Sequence, residues 1–264
     1  MSSTFAQKNV LISGGTSGIN LGVAKVLAGA GANVAVFGRD LEKAVSAAEQ
    51  IDGCGEGLTL GLAADVRDFD AVEQLVQNAV HTLGPLDVVI AGAAGNFPAP
   101  AIGIKPKGFK SVVDIDLLGT YNVFWAAFEK LRKPGASLIA ISAPQAEQAM
   151  AFQAHVCAAK AGINMLVKCL ALEWGAAGVR VNAVSPGPID GTEGMARLAP
   201  TEALREHYRQ ATPLKRFGTP QDIGRFIEFL VSDGAGYATG GIYPVDGGMR
   251  LGDASQDCLT LPKG

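Results

Sequence analysis

Short runs of consecutive apolar residues alternate along the chain with longer segments in which apolar residues recur every three or four positions. The short runs are typical of strands that are buried on both faces, and the longer segments are typical of helices. A parallel sheet covered by helices on both sides produces this alternation. The predicted strands are residues 10–13, 33–37, 58–63, 86–91, 137–142, 179–185 and 241–245.

The segments between these strands predict helices of ordinary length. They comprise a helix that ends near Gly29 and further helices from residue 41, over 71–82, over 111–130, over 152–174 and over 221–231. No proline-rich or serine-rich linker, charge block or internal repeat divides the chain. We therefore expect an α/β protein with a single domain over residues 1–264 and one doubly wound parallel sheet of about seven strands.

Composition and charge narrow the class of protein. The 264 residues carry a net charge of −3 with scattered basic residues, which argues against a nucleic-acid partner. No apolar run approaches the length of a membrane span, and the start of the chain does not resemble a secretory signal. The last residues, LPKG, are not a peroxisomal tripeptide signal, so we expect a cytoplasmic location. Reduced thiols, with neither a metal nor a disulfide, are expected for the four cysteines, Cys54, Cys157, Cys169 and Cys258.

A glycine-rich loop joins the first predicted strand to the first predicted helix and reads SGGTSGI over residues 13–19. Glycine lets the backbone turn tightly, and a pyrophosphate can then approach the amides at the helix N-terminus. Between a strand and a helix near the start of a chain, such a loop is typical of dinucleotide binding; a tight turn without a ligand is the alternative. The residues predicted to bind the cofactor here are Gly14, Thr16, Ser17, Gly18 and Ile19.

The end of the second strand indicates which dinucleotide binds. Arg39 follows this strand, where the adenosine ribose of such a cofactor lies. An arginine suits a 2′-phosphate whereas an acidic residue suits a free 2′-hydroxyl, so Arg39 favours NADP(H). The alternative is a solvated arginine beside Asp40, which would cap the next helix. After the third strand, Asp65 and Val66 either close over the adenine or form a turn.

Lys160 lies in the first half of the long helix predicted over residues 152–174. Small apolar residues surround it, where a core-facing helix normally carries no charge. The lysine either extends to the rim of a buried helix or points at a bound cofactor.

Several motifs together resemble the short-chain dehydrogenase/reductase family. They are SGGTSGI at 13–19, DV at 65–66, AGAAG at 91–95, Lys160 followed by AG, VNAVSPGPI at 181–189 and VDGG at 245–248. The resemblance runs in order from about Asn9 to Gly248, which is nearly the whole chain. It implies a Rossmann-like fold, a nicotinamide cofactor and a homotetramer.

The family typically uses an Asn-Ser-Tyr-Lys set, and this chain departs from it. The changed positions are Val156 for the tyrosine, Ala143 beside Ser142 for the serine, and Asp116 for the asparagine. Asn20 also replaces a glycine after Gly18-Ile19, and the AGAAG segment lacks the family's usual asparagine. Valine cannot transfer a proton, so ordinary alcohol–ketone chemistry is not expected.

These changes resemble the 2,4-dienoyl-CoA reductase branch and most closely its peroxisomal type. Two further motifs share this resemblance, AAGNF at 93–97 and PGPIDGTEGM at 186–195. That branch also lacks the tyrosine and is thought to use the aspartate. The resemblance implies hydride addition to the δ carbon of an unsaturated acyl thioester and a proton delivered to carbon. Asp116, acting through a water, is the candidate proton source, which requires an apolar site that keeps it protonated. Otherwise it is a helix residue bonded to nearby backbone.

Lys160 is then expected to hold the nicotinamide ribose and to stabilise the developing oxyanion. Pro186, Gly187 and Ile189 leave the sixth strand where the nicotinamide is expected, and Ala91 ends the fourth strand beside it. Thr192 either touches the phosphates or caps the next short helix. Two residues after the fourth strand, Asn96 and Phe97, either hold the thioester carbonyl and the acyl chain or form a turn.

His155 and Ser142 are secondary candidates for an acid. His155 is rotated by about 100° from position 156 on a helix, which favours a structural role. The segment 190–212 is rich in small and charged residues and is expected to be a lid-like insertion over the substrate. Its arginines, Arg197, Arg205 and Arg209, either meet the phosphates of coenzyme A or are solvated.

We therefore expect an NADPH-dependent reductase of an unsaturated acyl thioester, without nucleic-acid or membrane partners. The resemblance implies that coenzyme A carries the acyl group. A carbonyl or alcohol oxidoreductase that uses Ser142 or His155 as its acid is one alternative. A catalytically inactive NADP(H)-binding subunit or redox sensor is the other.

Overall fold

The structure, a computed structural model, describes residues 5–256, and in that part of the chain seven strands form one sheet. The strands are β1 Asn9–Ser13, β2 Asn33–Gly38, β3 Thr59–Ala63, β4 Val88–Ala91, β5 Ser137–Ile141, β6 Arg180–Pro186 and β7 Ile242–Val245. Their order is β3-β2-β1-β4-β5-β6-β7, and every neighbouring pair is parallel. The predicted doubly wound parallel sheet is confirmed. The winding direction reverses between β1 and β4, and ligands bind at the carboxyl ends of the strands beside such a point.

Helices cover both faces of the sheet. Their bounds are α1 Gly18–Gly29, α2 Leu41–Asp52, α3 Phe69–Leu83, α4 Pro106–Val113, α5 Gly119–Phe128, α6 Ala154–Trp174, α7 Glu193–Leu198, α8 Glu202–Ala211 and α9 Pro220–Val231. One hydrophobic core joins the sheet to α3, α5 and α6, and a second joins it to α1, α2 and α9. Both faces of β1, β4 and β5 are therefore buried, which explains their runs of consecutive apolar residues.

The helix predicted over residues 111–130 is longer and less regular than expected. It begins at Pro106, where a proline in the first turn costs no helical hydrogen bond. Between α4 and α5, Asp114–Leu118 form a π-helical turn, in which the hydrogen bonds span five residues. The wider turn inserts extra backbone into an otherwise continuous helix, and it contains Asp116.

The long helix around Lys160 also differs from expectation. α6 begins at Ala154 rather than at residue 152 because Phe152 has a left-handed backbone with φ 66°. With the turn that follows, Ala154–Ala177 is long and apolar enough to cross a membrane by length and composition, so the expectation that no such segment exists is wrong. Half of this segment is buried inside the fold, as in the core helix of a globular domain.

The described cysteines and acidic residues form no cluster that could bind a metal ion. Cys54, Cys157 and Cys169 are free thiols, and Cys258 lies outside the described residues. Within residues 5–256, no group of three or more His, Cys, Asp or Glu side chains is placed to hold a metal ion. The metal-free state of the protein remains a prediction.

Candidate active site

The glycine loop lies at the carboxyl end of β1, beside the point where the sheet reverses direction. Gly14 and Gly18 have left-handed backbones, with φ 65° and φ 56°. A Cβ on Gly14 would lie 2.8 Å from the amide nitrogen of Ala93, so the loop after β1 and the loop after β4 touch backbone to backbone. Ser17 is the N-cap of α1, yet its side chain makes no capping hydrogen bond. The first amides of α1 are therefore free of a side-chain cap, which suits the pyrophosphate of a dinucleotide.

Two arginines, Arg39 and Arg67, follow β2 and β3 at the carboxyl edge of the sheet, where the adenosine of a cofactor is expected. One of them is free and the other is paired. Arg39 is exposed and makes no hydrogen bond or ion pair with any residue from 5 to 256. Asp65 is paired with Arg67 through an Nη2–Oδ2 contact of 2.5 Å, and the hydrogen bond from Arg67 lowers the pKa of Asp65 below its usual value. Arg67, which the sequence analysis did not single out, therefore already forms an ion pair with the Asp65 carboxylate. Val66 is buried, and its carbonyl accepts a hydrogen bond from Asn122.

Asp116 and Lys160 form a buried ion pair at the carboxyl edge of the sheet. Asp116 has no exposed surface, and its Oδ1 accepts a hydrogen bond of 2.7 Å from the Gly95 amide. Its Oδ2 lies 3.2 Å from the Lys160 Nζ, in a contact that is not aligned as a hydrogen bond and is therefore mainly Coulombic. The Lys160 ammonium donates to the carbonyl of Ile141, at 3.0 Å. Both groups that face Asp116 are donors, which suits a carboxylate rather than a protonated acid.

The π-helical turn and α6 bring this pair together. Gly162 lies two residues after Lys160, and a Cβ there would lie 2.7 Å from a methyl group of Leu117. The glycine thus lets α6 approach the π-helical turn closely enough for the two charged side chains to meet. The Thr120 hydroxyl donates to the backbone carbonyl of Asp116, at 2.6 Å. This hydrogen bond holds one of the carbonyls that the π-helical turn displaces.

A cavity of roughly 180 Å³ lies between the ends of β5 and β6 and the segment that follows β6. Residues predicted for the cofactor or for catalysis that line it are Ile19, Ser142, Pro186, Gly187, Ile189 and Thr192. Residues that the sequence analysis did not single out also line it, namely Gln145, Met150, Met195, Leu198, Tyr208 and Met249. Its lining is mainly apolar, which suits a nicotinamide ring or an acyl chain.

The two predicted substrate residues lie beyond β4, directly after Gly95, whose amide donates to Asp116. Phe97 is partly exposed, and its ring lies 4.4 Å from the ring of His155, measured between centroids. Asn96 has a buried side-chain oxygen without a hydrogen-bond partner among the described residues, and its amide makes only a long contact of 3.5 Å to Gln153. The Asn96 amide is thus only weakly held by the protein and is open to a ligand.

Comparison with known proteins agrees with this geometry. The family model described as Enoyl-(Acyl carrier protein) reductase matches residues 14–250. The chain belongs to the short-chain dehydrogenase/reductase family. It is 41% identical over 248 residues to the "Peroxisomal 2,4-dienoyl-CoA reductase SPS19 [(3E)-enoyl-CoA-producing]" of Saccharomyces cerevisiae, covering 93% of this chain and 85% of the yeast protein.

Other relatives give the same picture. The chain is 38% identical to the "Probable 2,4-dienoyl-CoA reductase [(2E)-enoyl-CoA-producing]" of Bacillus subtilis, with 93% of this chain and 97% of that protein covered. Among solved structures, a short-chain type dehydrogenase/reductase from Mycobacterium ulcerans superposes with a TM-score of 0.90 at 30% identity, covering 94% of this chain and 92% of that one. This short-chain dehydrogenase/reductase is therefore an oxidoreductase with a Rossmann-like fold that uses a nicotinamide cofactor.

The side chains that could replace the missing tyrosine of this short-chain dehydrogenase/reductase are poorly placed for proton transfer. Val156 is buried against Val112 and Ala159. Ser142 donates its hydroxyl proton to the Asn164 side chain, at 2.6 Å. His155 is fully buried, and neither ring nitrogen has a hydrogen-bond partner among the described residues. Of the predicted catalytic and secondary residues, only Asp116 and Lys160 contact one another.

The segment expected to be a lid consists of α7 and α8. Thr192 caps α7 by accepting from the Met195 amide, and it donates to the Ile189 carbonyl. A Cβ on Gly18 would lie 3.8 Å from the Thr192 methyl, so Thr192 also faces the glycine loop. Both interpretations of this threonine are therefore compatible with its position.

The arginines of this segment are neutralised within it. Arg197 pairs with Glu193 and donates to the Asn96 carbonyl at 3.0 Å. Arg205 pairs with Asp190 at 2.7 Å, and this hydrogen bond lowers the pKa of the Asp190 carboxyl. Arg209 pairs with Glu202 and Glu206. Each of the three arginines already has a carboxylate partner. Each is therefore neither free to bind a phosphate nor simply solvated.

Proposed function

We propose that this protein is an NADPH-dependent 2,4-dienoyl-CoA reductase. The observation that carries the proposal is the buried Asp116–Lys160 pair in a chain whose tyrosine position is occupied by Val156. Reduction of a dienoyl thioester does not require a tyrosine that protonates an alkoxide. Relatives at 36–41% identity are named 2,4-dienoyl-CoA reductases, which supports the same substrate class.

The reaction adds a hydride to the δ carbon of the substrate and a proton to another carbon. When bound, the reduced nicotinamide supplies the hydride. The electrons of the diene then shift onto the thioester oxygen, which needs a nearby positive charge or hydrogen-bond donor. We assign this role to the Lys160 ammonium, because it is buried and retains a donor beyond its contacts with Ile141 and Asp116.

We propose that Asp116 delivers the proton through a water bound at Oδ2. This oxygen has no aligned hydrogen bond within residues 5–256, but it is fully buried, so the side chains around it must move slightly for the water to bind. The carboxylate orients the water, which gives a proton to carbon and takes one from the Lys160 ammonium, 3.2 Å from Oδ2. The lysine regains a proton from solvent when the product leaves. Asp116 therefore stays ionised and positions the water, whereas the sequence analysis required a protonated acid.

The position of the pair also bears on the product. A group that stabilises the thioester oxygen lies closer to the α carbon than to the γ carbon, since the α carbon is only two bonds from that oxygen. We therefore propose protonation at the α carbon, which gives a (3E)-enoyl thioester. Asn96 would hold the thioester carbonyl, Phe97 would pack on the acyl chain, and residues 190–212 would act as the lid.

We assign the cofactor to the cleft between β1, β4 and β6 and propose that it is NADP(H). Arg39 is exposed and makes no hydrogen bond or ion pair within residues 5–256; its charge acts on Asp65 only at a distance, and that carboxylate is paired with Arg67, so the guanidinium suits the 2′-phosphate. The proposed cofactor contacts are Gly14, Thr16, Ser17, Gly18, Ile19, Arg39, Asp65, Val66, Ala91, Lys160, Pro186, Gly187, Ile189 and Thr192. Residues 1–264 would form one NADP(H)-binding domain.

We further propose that the chain forms a homotetramer in the cytoplasm and acts without a nucleic-acid, membrane or metal partner. The outer faces of the π-helical turn, α5 and α6 support the assembly, because they expose large apolar side chains. These are Leu118, Tyr121, Trp125, Met165 and Leu172, whose exposed fractions range from 39% to 85%. Apolar side chains grouped in this way mark contact surfaces between proteins.

The test is the rate of NADPH oxidation by the purified protein with 2,4-hexadienoyl-CoA, compared with a panel of ketones. We expect turnover of the thioester alone, a loss of roughly a hundredfold or more in kcat for Asp116→Ala and for Lys160→Ala, and a (3E)-enoyl product. Ketone turnover that survives Asp116→Ala would contradict the proposal. So would tight NADPH binding without turnover of any substrate, which would indicate a sensor or an inactive subunit.

A further inference from the structure

Asn20 is a buried polar residue in the first turn of α1 that has no part in the proposed reaction. Its exposed fraction is 7%, and it follows the glycine loop directly. The side-chain amide donates to the carbonyl of Gly92, at 2.9 Å, and to the carbonyl of Gly14, at 3.3 Å. One side chain thus bridges the loop after β1 and the loop after β4.

Gly92 and Asn20 fit only as a pair. A Cβ on Gly92 would lie 2.3 to 2.6 Å from three side-chain atoms of Asn20. The backbone of Gly92 is not left-handed, so its conformation alone does not exclude a larger residue. The Asn20 amide therefore fills the space that a side chain at position 92 would occupy, and this contact explains the glycine.

The two carbonyls that Asn20 holds belong to segments with other fixed contacts. The Gly15 amide, in the same peptide unit as the Gly14 carbonyl, donates to the Phe37 carbonyl at 3.3 Å. The amide of Gly92 donates to the Ser13 hydroxyl at 3.0 Å. Three residues farther on, the Gly95 amide donates to Asp116. The loop after β4 is therefore fixed to the glycine loop at one end and to Asp116 at the other.

We propose that Asn20 is a positioning residue that aligns the glycine loop with the segment that holds Asp116. By fixing the Gly14 carbonyl, Asn20 sets the position of the backbone that faces the pyrophosphate. By fixing the Gly92 carbonyl, it sets the distance between that backbone and the Gly95 donor. Its side-chain oxygen has no partner within residues 5–256, so the amide is held by its two donor contacts alone.

The test is the dissociation constant for NADPH, measured by fluorescence without substrate. Asn20→Gly is expected to weaken NADPH binding by roughly tenfold, since a buried hydrogen bond and its geometry are lost. Gly92→Ala, which keeps Asn20 but forces it aside, is expected to weaken binding by a similar factor. Asn20→Gly/Gly92→Asn returns an amide to the same space from the opposite side and is expected to recover most of the affinity.

Asn9 provides a matched control. It is also a buried asparagine in which the side-chain amide bridges two loop carbonyls, those of Leu83 and Pro85, but it lies at the opposite end of β1. Asn9→Ala is expected to lower thermal stability without changing NADPH affinity. The proposal is overturned if Asn20→Gly and Gly92→Ala both bind NADPH within twofold of the unmodified protein, or if Asn9→Ala weakens NADPH binding as much. If Asn20→Gly does not fold, Gly92→Ala and the double variant decide the question.

Discussion

The Asp116 carboxylate lies 3.2 Å from the Lys160 ammonium, and their side chains have exposed fractions of 0% and 7%. Two charges removed from water are each costly, and each side chain is tolerated because the other is present. Additional donors and acceptors complete the pair, since Gly95 donates to Asp116 and Ile141 accepts from Lys160. The stability of the site and its chemistry therefore depend on the same two residues.

Lys160→Met should destabilise the protein strongly, because it leaves a buried carboxylate without its cation. We expect a loss of about 3 to 5 kcal/mol in the free energy of unfolding, measured with urea. Lys160→Met/Asp116→Leu removes both charges and should recover much of this loss, while remaining inactive. A double variant as unstable as the single one would show that the charges are not coupled.

Arg39→Ala should weaken NADPH binding by roughly tenfold to a hundredfold through the loss of charge-assisted hydrogen bonds to the 2′-phosphate. Binding of NADH should change by less than about twofold, because NADH lacks that phosphate. Lys43→Ala removes a nearby exposed cation of α2 and serves as the control, which should affect neither cofactor. Equal losses for NADPH and NADH in Arg39→Ala would refute the assignment.

His155→Leu should leave kcat within about threefold of the original value and should not lower stability. The reason is that both ring nitrogens are buried without partners in the described chain, so an apolar side chain of similar size removes a desolvation cost. Thermal unfolding and steady-state kinetics measure the two effects. A large fall in kcat with normal stability would return His155 to the catalytic candidates.

Ser142→Ala should affect stability more than chemistry. It removes the donor to the buried Asn164 oxygen, which costs about 1 to 3 kcal/mol for the group left unsatisfied. Because the hydroxyl proton is directed at Asn164, dienoyl turnover at saturating substrate should remain within about threefold of the original rate. Ser142→Ala/Asn164→Leu provides the control, since it removes both polar partners and should regain stability.

The contacts of Asp222, at the start of α9, predict that the free energy of unfolding depends on pH. Its hydrogen bond with Arg216, together with those from Thr219, lowers the pKa of Asp222 from 3.8 to about 2. Folding thus favours the ionised form of Asp222. Its contribution to the free energy of unfolding is fully present above pH 3.8 and is lost as the pH falls towards 2. Asp222→Asn should cost roughly 1 kcal/mol at pH 7, a modest value because the pair is partly exposed. The difference from the unmodified protein should shrink between about pH 4 and pH 2 in urea unfolding; a constant difference would argue against this assignment.

The sheet and the glycine loop could be predicted from the sequence because their signals are local. Consecutive apolar residues mark a buried strand, and the glycines between β1 and α1 mark a turn that side chains would obstruct. Lys160 was also identified, because a charge within an apolar helix is unusual, and Asp116 because it replaces the asparagine of the family's catalytic set. Their contact could not be derived from periodicity, since it depends on how closely α6 approaches the π-helical turn.

Other features depend on side chains that meet only in the folded chain. Arg67 lies next to a predicted site, yet nothing in its neighbourhood indicates that it pairs with Asp65 rather than with solvent. Tyr208, within the predicted lid segment, and Met249, four residues after β7, line the cavity, but no local pattern distinguishes them from their neighbours. The Asn20–Gly92 contact joins a departure from the family pattern, Asn20, to a glycine far along the chain, although each is required by the other in space.

The π-helical turn at Asp114–Leu118 makes this site sensitive to chain length as well as to residue identity. A π turn accommodates extra backbone inside a helix, so removing one residue there would allow an ordinary α-helix to form. That change would narrow the turn and shift the residues inside it, Asp116 among them, relative to α6. Asp116 would then leave Lys160 even though both residues were retained. Deletions in this turn are therefore expected to abolish activity where many substitutions in it would not.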